Sequence, residues 1–403
     1  MCCHPCCTIM SGTLDNLSYK QQEKLTKFRI NVADVLEDHH DDHVLLRFLR
    51  ARKFDLTSSE TLFRKDVKWK KEMQTSALSR DDIPEILKKY WPGGTCGFDK
   101  EGSPVWIDAI GRSDFKGLLY SAKTSDIIKH NIVIAESLYK LMEQQTLKLG
   151  RHVEGVAYIA DMEKFGLHHL WKPAVDVFNQ NASVFEQHYP ETLKRVFVIN
   201  APKIFPLAYS LVKPFLQENT RKKVNILGSN WKAVLLQYID AENLPMYWGG
   251  TATGPDGDPH CTHQIVVGGK VPESYYIKDR VVSSQDLTRY DLSRGSCLEL
   301  KYDVGKPGSI LRYEFKTESH DLAFGIRRIA EDGGKVDVLK KQRYNCHLVP
   351  EDGEISLQEP GRYVVRFDNS YSWIKAKTLL YLVELLEPVD ETQEDEAEFV
   401  QEE

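Results

Sequence analysis

The stretch YPETLKRVFVINAPKIFPLAYSLVKPFLQENTRKKVNILGSNW, residues 189–231, decides the fold. Residues 195–202 are a β-branched, apolar run of the kind that is buried on both faces of a parallel sheet. Phe205, Leu207, Ala208, Leu211, Val212, Phe215 and Leu216 then recur at helical spacing, which predicts one helix over 205–217. At 223–228 the pattern returns to strand. Cations close the segment at Arg221, Lys222 and Lys223, with Lys203 and Lys213 nearby. By periodicity alone an ordinary core helix accounts for the apolar stripe. The other reading is a lid over an oily cavity, with Val105, Ile107, Tyr158 and Ile159 as walls and Phe205, Leu207, Leu211 and Phe215 on the lid.

On either side the alternation continues. Strands are predicted at 105–110, 153–161, 195–199 and 224–227, and helices at 124–149, 167–187, 205–217 and 231–239. That order gives an α/β domain over 91–251, a mainly parallel sheet with helices packed on it. Before it, Leu25, Phe28, Val32 and Leu36, then Leu45, Leu46, Phe48 and Leu49, then Leu62, Phe63 and Trp69 mark three helical stripes. They make a small all-α lobe over 18–90, with Asp41 or Asp42 capping the second helix. After a linker at 252–271, short alternating segments at 298–302, 311–315 and 363–367 are separated by turn signals such as 305–308 and 332–334. With a last apolar strand at 378–386, they read as an all-β sandwich over 272–387. Residues 1–17 are a cysteine-rich start and 388–403 an acidic tail, both expected to be unstructured.

At 403 residues, two or three domains are the natural division. No apolar run approaches the roughly 18 residues that cross a bilayer, and no secretory signal opens the chain, so membrane contact is expected to be peripheral. The net charge is −6, but nine acidic residues and no Lys or Arg lie from Glu387 to Glu403, which leaves the rest at +3. That is too little for a nucleic-acid binder. Of eight cysteines, four crowd the first seven residues and Cys96, Cys261, Cys297 and Cys346 are scattered, which fits a reducing compartment and a cytoplasmic location. The start CCHPCC can be acylated or bind metal, or simply be unstructured. The run His39-His40-Asp41-Asp42-His43 has metal-ligand residue types, but contiguous residues seldom converge on one ion, and a capped polar loop is preferred. There is no Walker A run, G-x-S-x-G elbow or H-E-x-x-H, so neither an enzyme nor a cofactor is expected.

Several segments resemble the CRAL-TRIO lipid-binding family in their order along the chain. They are DHVLLRFLRARKFDL (42–56), YWPGGTCGFDKEGSPVWID (90–108), the opening stretch with its KPFL and RKKVNILGSNW, and ENLPMYWGG (242–250). With LGRHVE (149–154), GLHHLWKPAV (166–175) and QRYNCHLVPEDG (342–353), the chain is similar to the tocopherol-associated members, in which a GOLD domain follows. Met10-Ser11-Gly12 resembles the start of such members, which makes the first nine residues an extension. The resemblance implies a carrier of squalene, tocopherol or phosphatidylinositol whose segment 205–223 is a gate that swings outward at a membrane. It implies that Arg52, Glu191 and Lys223 hold a phosphoinositide headgroup, by the planar fork of Arg, the point charge of Lys and a carboxylate that fixes the Lys. Val156 and Tyr158 stand where headgroup-reading members carry two hydroxyl side chains, so a neutral ligand is expected to compete. Lys203, Lys213, Arg221 and Lys222 become candidates for contact with anionic membrane. Through the GOLD domain, the implied partners are Golgi proteins or membranes. The alternative implied is a regulator that presents bound lipid to a sterol-synthesis or lipid-signalling enzyme.

Overall fold

The structure is a computed structural model and describes residues 13–330, 333–389 and 398–400. Three helices, α1 (Tyr19–Asn31), α2 (Asp42–Ala51) and α3 (Leu56–Met73), form the N-terminal lobe. Ser18, Asp41 and Asp55 cap them by accepting from backbone N–H groups of their first turns. Leu25, Phe28, Leu45, Leu49 and Phe63 fill the space between. The lobe ends with α3. Helix α4 (Glu85–Tyr90), which the sequence reading places in the lobe, packs Ile86 and Leu87 against the next domain instead.

That domain is built on a six-stranded sheet ordered β1-β2-β3-β4-β5-β14. Its first five strands are β1 (Gly94–Phe98), β2 (Pro104–Asp108), β3 (Val156–Asp161), β4 (Leu193–Ile199) and β5 (Val224–Leu227). β1 is antiparallel to β2 and the others run parallel, so the mainly parallel sheet expected from the sequence is present. Between and after them lie α5 (Phe115–Ser121), α6 (Thr124–Leu149), α7 (Lys172–His188), α8 (Phe205–Val212), α9 (Glu218–Arg221) and α10 (Trp231–Tyr238). β14 (Glu398–Val400) pairs in parallel with β5. Part of the segment expected to lack structure is therefore an edge strand, while the remainder of 390–403 and the cysteine-rich residues 1–12 lie outside the described residues.

The expected linker at 252–271 belongs to this domain. Cys261, Ile265 and Val271 are buried, and Gly93 and Val266 exchange backbone hydrogen bonds of 2.8 and 3.1 Å. Its run of β-branched residues finds a partner in the chain entering β1, and the approach is close. A Cβ on Gly94 would lie 2.1 Å from the Gln264 carbonyl oxygen, which only glycine avoids.

The remaining strands, β6 (Thr288–Leu292), β7 (Cys297–Val304), β8 (Ser309–Thr317), β9 (Leu322–Ile329), β10 (Lys335–Tyr344), β11 (Glu351–Leu357), β12 (Gly361–Asp368) and β13 (Lys377–Leu386), form two antiparallel four-stranded sheets. Phe315, Phe324 and Phe367 meet between them with ring centroids 4.4–5.3 Å apart. This is the all-β sandwich that the alternating sequence indicates.

Candidate lipid site and gate

Pairing register assigns every strand residue of the central sheet to a face. Trp106, Tyr158, Val196 and Val224 are neighbours across β2, β3, β4 and β5, and so are Asp108, Ala160, Val198 and Ile226. Residues one position away point the other way. Val105, Ile107, Ile159 and Phe197 therefore face α10, where they are packed with Leu235, Leu244 and Trp248. This corrects the sequence reading at Val105, Ile107 and Ile159: they are core on the face opposite the lid. Tyr158 is on the lid side, in the cluster that holds Phe205, Val196, Val198 and Ile226.

The two faces are sealed differently. Val105, Ile107 and Ile159 retain 0% exposure and Phe197 1%, whereas Val196, Val224 and Ile226 retain 9, 7 and 8%. On that second face Trp106, Asp108 and Tyr158 are only half-buried.

The lid is broken rather than continuous. Asn200 enters the left-handed region (φ 55°) and donates to Asp161 at 2.8 Å, while the buried Trp248 indole donates to the other Asp161 oxygen at 2.9 Å. This fixes the root from which α8 leaves the sheet. Helix α8 ends at Val212, a 3₁₀ turn follows over Lys213–Phe215, and α9 begins at Glu218. The single helix predicted over 205–217 fails at Pro214, which has no N–H to continue the ladder and whose ring clashes with the preceding turn. Phe205 and Leu207 are buried, Leu211 is half-buried, and Phe215 remains 48% exposed. Leu207 is buried with Leu170 and with Ile310 of the β-sandwich, and Ala208, Leu211 and Leu386 pack around them. No sequence pattern signals that long-range contact.

At the far end of the lid, Lys223 binds Glu191 at 2.8 Å and Asn219 donates to the same carboxylate at 3.1 Å. Burial pushes the Glu191 carboxyl up, but the attraction and hydrogen bond of Lys223 outweigh it and its pKa is lowered. A cleft of about 330 Å³ opens here, lined by Arg50, Lys53, Phe54, Glu191, Lys222 and Lys223 among others. Arg52 is not in it. Its guanidinium donates to the Ala51 carbonyl and lines a neighbouring cleft with Thr57, Ser58, Thr61 and Lys65. The structure thus brings Glu191 and Lys223 together and replaces Arg52 by Arg50, which is ion-paired to Glu154 and whose pKa burial lowers to about 10. Lys53 and Lys222 both reach Glu218, at 2.8 and 2.7 Å. Of the candidate membrane contacts, Lys203 and Lys222 are exposed and Lys213 and Arg221 half-buried.

The histidine run is split by the fold. Asp41 is the cap of α2, as the polar-loop reading has it, while the His43 ring stacks on His152 at 3.4 Å and lies near Glu154. One ligand atom from each of the three lies within 4.8 Å of the others, and the carboxylate is already held by Arg50.

Comparison with known proteins matches two regions of the chain. Residues 88–250 match the CRAL/TRIO domain and 15–65 the CRAL/TRIO N-terminal domain. The chain is 30% identical to protein ctg-1 of Caenorhabditis elegans over 377 residues, covering 91% of this chain and 96% of the relative. It is 29% identical to protein real-time of Aedes aegypti over 79% of this chain and 51% of that longer protein. The crystal structure of Sfh5 is similar over 63% of this chain and 93% of its own, with a TM-score of 0.50 at 17% identity, a likeness of fold. An N-terminal helical lobe, a mixed sheet with a helical lid and near-full-length similarity to ctg-1 together show that the chain belongs to the CRAL/TRIO family.

Proposed function

We propose that this protein is a cytoplasmic carrier that binds one lipid of the squalene, tocopherol or phosphatidylinositol class and moves it between membranes by gated exchange. The unequal sealing of the two sheet faces carries this reading. One face is packed more tightly, and the other, beneath α8, keeps residual accessible surface lined mostly by valine, isoleucine and phenylalanine. Burying a hydrocarbon there contributes roughly 0.8 kcal/mol per CH₂, from which ordering of ligand and lid subtracts. The broken lid suits opening, since the turn at Lys213–Phe215 separates α8 from α9 and leaves Phe215 toward solvent. No helix among the described residues is long and apolar enough to cross a membrane, which supports transient contact through the lid and its lysines. The cleft with Arg50, Lys53 and Lys223 suits an anionic headgroup, the feature that would admit phosphatidylinositol.

A second reading has support from the contact between Leu207 and Ile310. A β-sandwich of GOLD type seated against the lid would let a Golgi protein or a lipid-metabolising enzyme sense whether the cavity is filled. Transfer of labelled lipid between vesicles tests the carrier reading. Catalysed transfer by the protein alone is expected; transfer only when a partner enzyme is added would favour the regulator.

A further inference from the structure

On the lid face of the sheet, surrounded by apolar side chains, stands one polar pair. The Tyr158 hydroxyl donates to Asp108 Oδ2 at 2.5 Å. The two residues sit on adjacent strands, β2 and β3, in successive rows of the register, with Ala160, Val198 and Ile226 beside Asp108 and Val196 beside Tyr158. Asp108 Oδ1 is buried and has no hydrogen-bond partner. Leaving a buried acceptor unsatisfied is costly, and natural cores rarely keep one without a use. Among the described residues no cation is paired with this carboxyl, in contrast to Glu191 with Lys223 or Glu154 with Arg50. Burial raises the Asp108 pKa to about 7, only partly opposed by the Tyr158 hydrogen bond, and raises that of Tyr158 well above the phenol value. Near neutrality a large fraction of the pair is therefore uncharged, able both to donate and to accept.

We propose that Asp108 and Tyr158 are the polar anchor of the cavity and select an uncharged lipid that carries a hydroxyl group over a hydrocarbon of the same skeleton. This rests on the carrier reading and narrows its ligand class. The ligand hydroxyl pairs with the Tyr158 oxygen, and with Asp108 Oδ1 once local packing opens to admit it, and its hydrocarbon lies along Val196, Val198 and Phe205. A ligand lacking the hydroxyl leaves the anchor unpaired, and a site built to pair a hydroxyl discriminates more strongly than an apolar wall does. A carboxylate or phosphate head is disfavoured at this spot, because no positive charge balances it and the neighbours are apolar.

The test offers the full-length protein an equimolar mixture of phytol and phytane on cyclodextrin, then extracts the bound lipid and quantifies both. The wild type is expected to hold phytol over phytane by about ten-fold, the scale of one or two buried hydrogen bonds. Tyr158→Phe, which keeps the ring and removes only the hydroxyl, should cut that ratio by about five-fold. Asp108→Leu, if it folds, should abolish the preference. A ratio unchanged in Tyr158→Phe, or no preference in the wild type, overturns the anchor while leaving the carrier intact. Failure of the wild type to take up either lipid overturns the carrier reading, and the anchor with it.

Discussion

Leu207, on helix α8, and Ile310, on strand β8 of the β-sandwich, are buried at 7 and 2% exposure in one apolar cluster with Leu170. Beside them the Arg312 guanidinium, ion-paired to Glu384, donates to the Leu170 carbonyl at 2.7 Å. The C-terminal domain thus shares an apolar cluster with α8, and on the proposed gating α8 cannot swing away without exposing this patch. Replacing Ile310 by Ser removes much of the buried contact, on the order of 2–4 kcal/mol by analogy with large-to-small changes in cores. Lipid exchange between vesicles should become several-fold faster in Ile310→Ser, with the two domains still folded by circular dichroism.

The Glu191–Lys223 pair is nearly enclosed, at 8 and 17% side-chain exposure. Removing Lys223 alone leaves a carboxylate in a poor solvent, so Lys223→Ala should destabilise by about 2 kcal/mol, discounted from the fully buried case for residual solvation. Glu191→Gln with Lys223→Met should cost less than Lys223→Ala alone. Urea unfolding of the single and double variants measures the difference.

Two groups of titratable side chains oppose each other in their pH dependence. Asp108 has its folded pKa raised to about 7 by burial. Its contribution is fully present below the unfolded value near 4 and is lost as pH rises to 7, at up to about 1.4 kcal/mol per unit. His130 and His169 are lowered to about 4 by burial, so their contribution is present above about 6.5 and lost as pH falls toward 4. Thermal melts of Asp108→Asn should gain on the wild type between pH 4 and 7. Those of His130→Phe should gain between pH 6.5 and 4.

Asn200 holds a left-handed backbone at the root of the lid and bonds Asp161 through its side chain. Asn200→Gly keeps the conformation and loses the hydrogen bond, for about 1 kcal/mol. Asn200→Val adds a β-branched side chain that this region excludes and should cost about 1–2 kcal/mol more. Equal melting temperatures for the two variants would contradict this account of the turn.

The order of elements, the parallel strands and the apolar stripe of α8 were legible, because each rests on a local period of two or 3.6 residues. Which strand residues face the lid was not. In a sheet covered on both sides, Tyr158 and Ile159 sit in the same apolar run, and alternation carries no polar signal to tell the faces apart. Asp108, one residue beyond Ile107, was the exception, a charge at the end of a buried strand that the sequence reading did not use. Arg52 lies outside the cleft of Glu191 and Lys223 for a different reason. Arg52 follows the last turn of α2, and the positive φ angles of Lys53 and Phe54 turn the chain there, so it is Arg50, on the helix, that meets Glu154 and faces Glu191. The kink at Pro214 was readable from the proline itself. The β-branched run at 265–267, taken as linker, carried a strand signal that outweighs the glycines around it.

Native mass spectrometry of the full-length protein, before and after incubation with lipid vesicles, tests the central claim most directly. The account predicts one lipid per chain in the wild type and none in Ala160→Trp, where an indole fills the lid face of the sheet while Ile159 and Phe197 keep the opposite core intact. A wild-type protein that emerges empty and stays empty, or an Ala160→Trp protein that loads as well as the wild type, would contradict it.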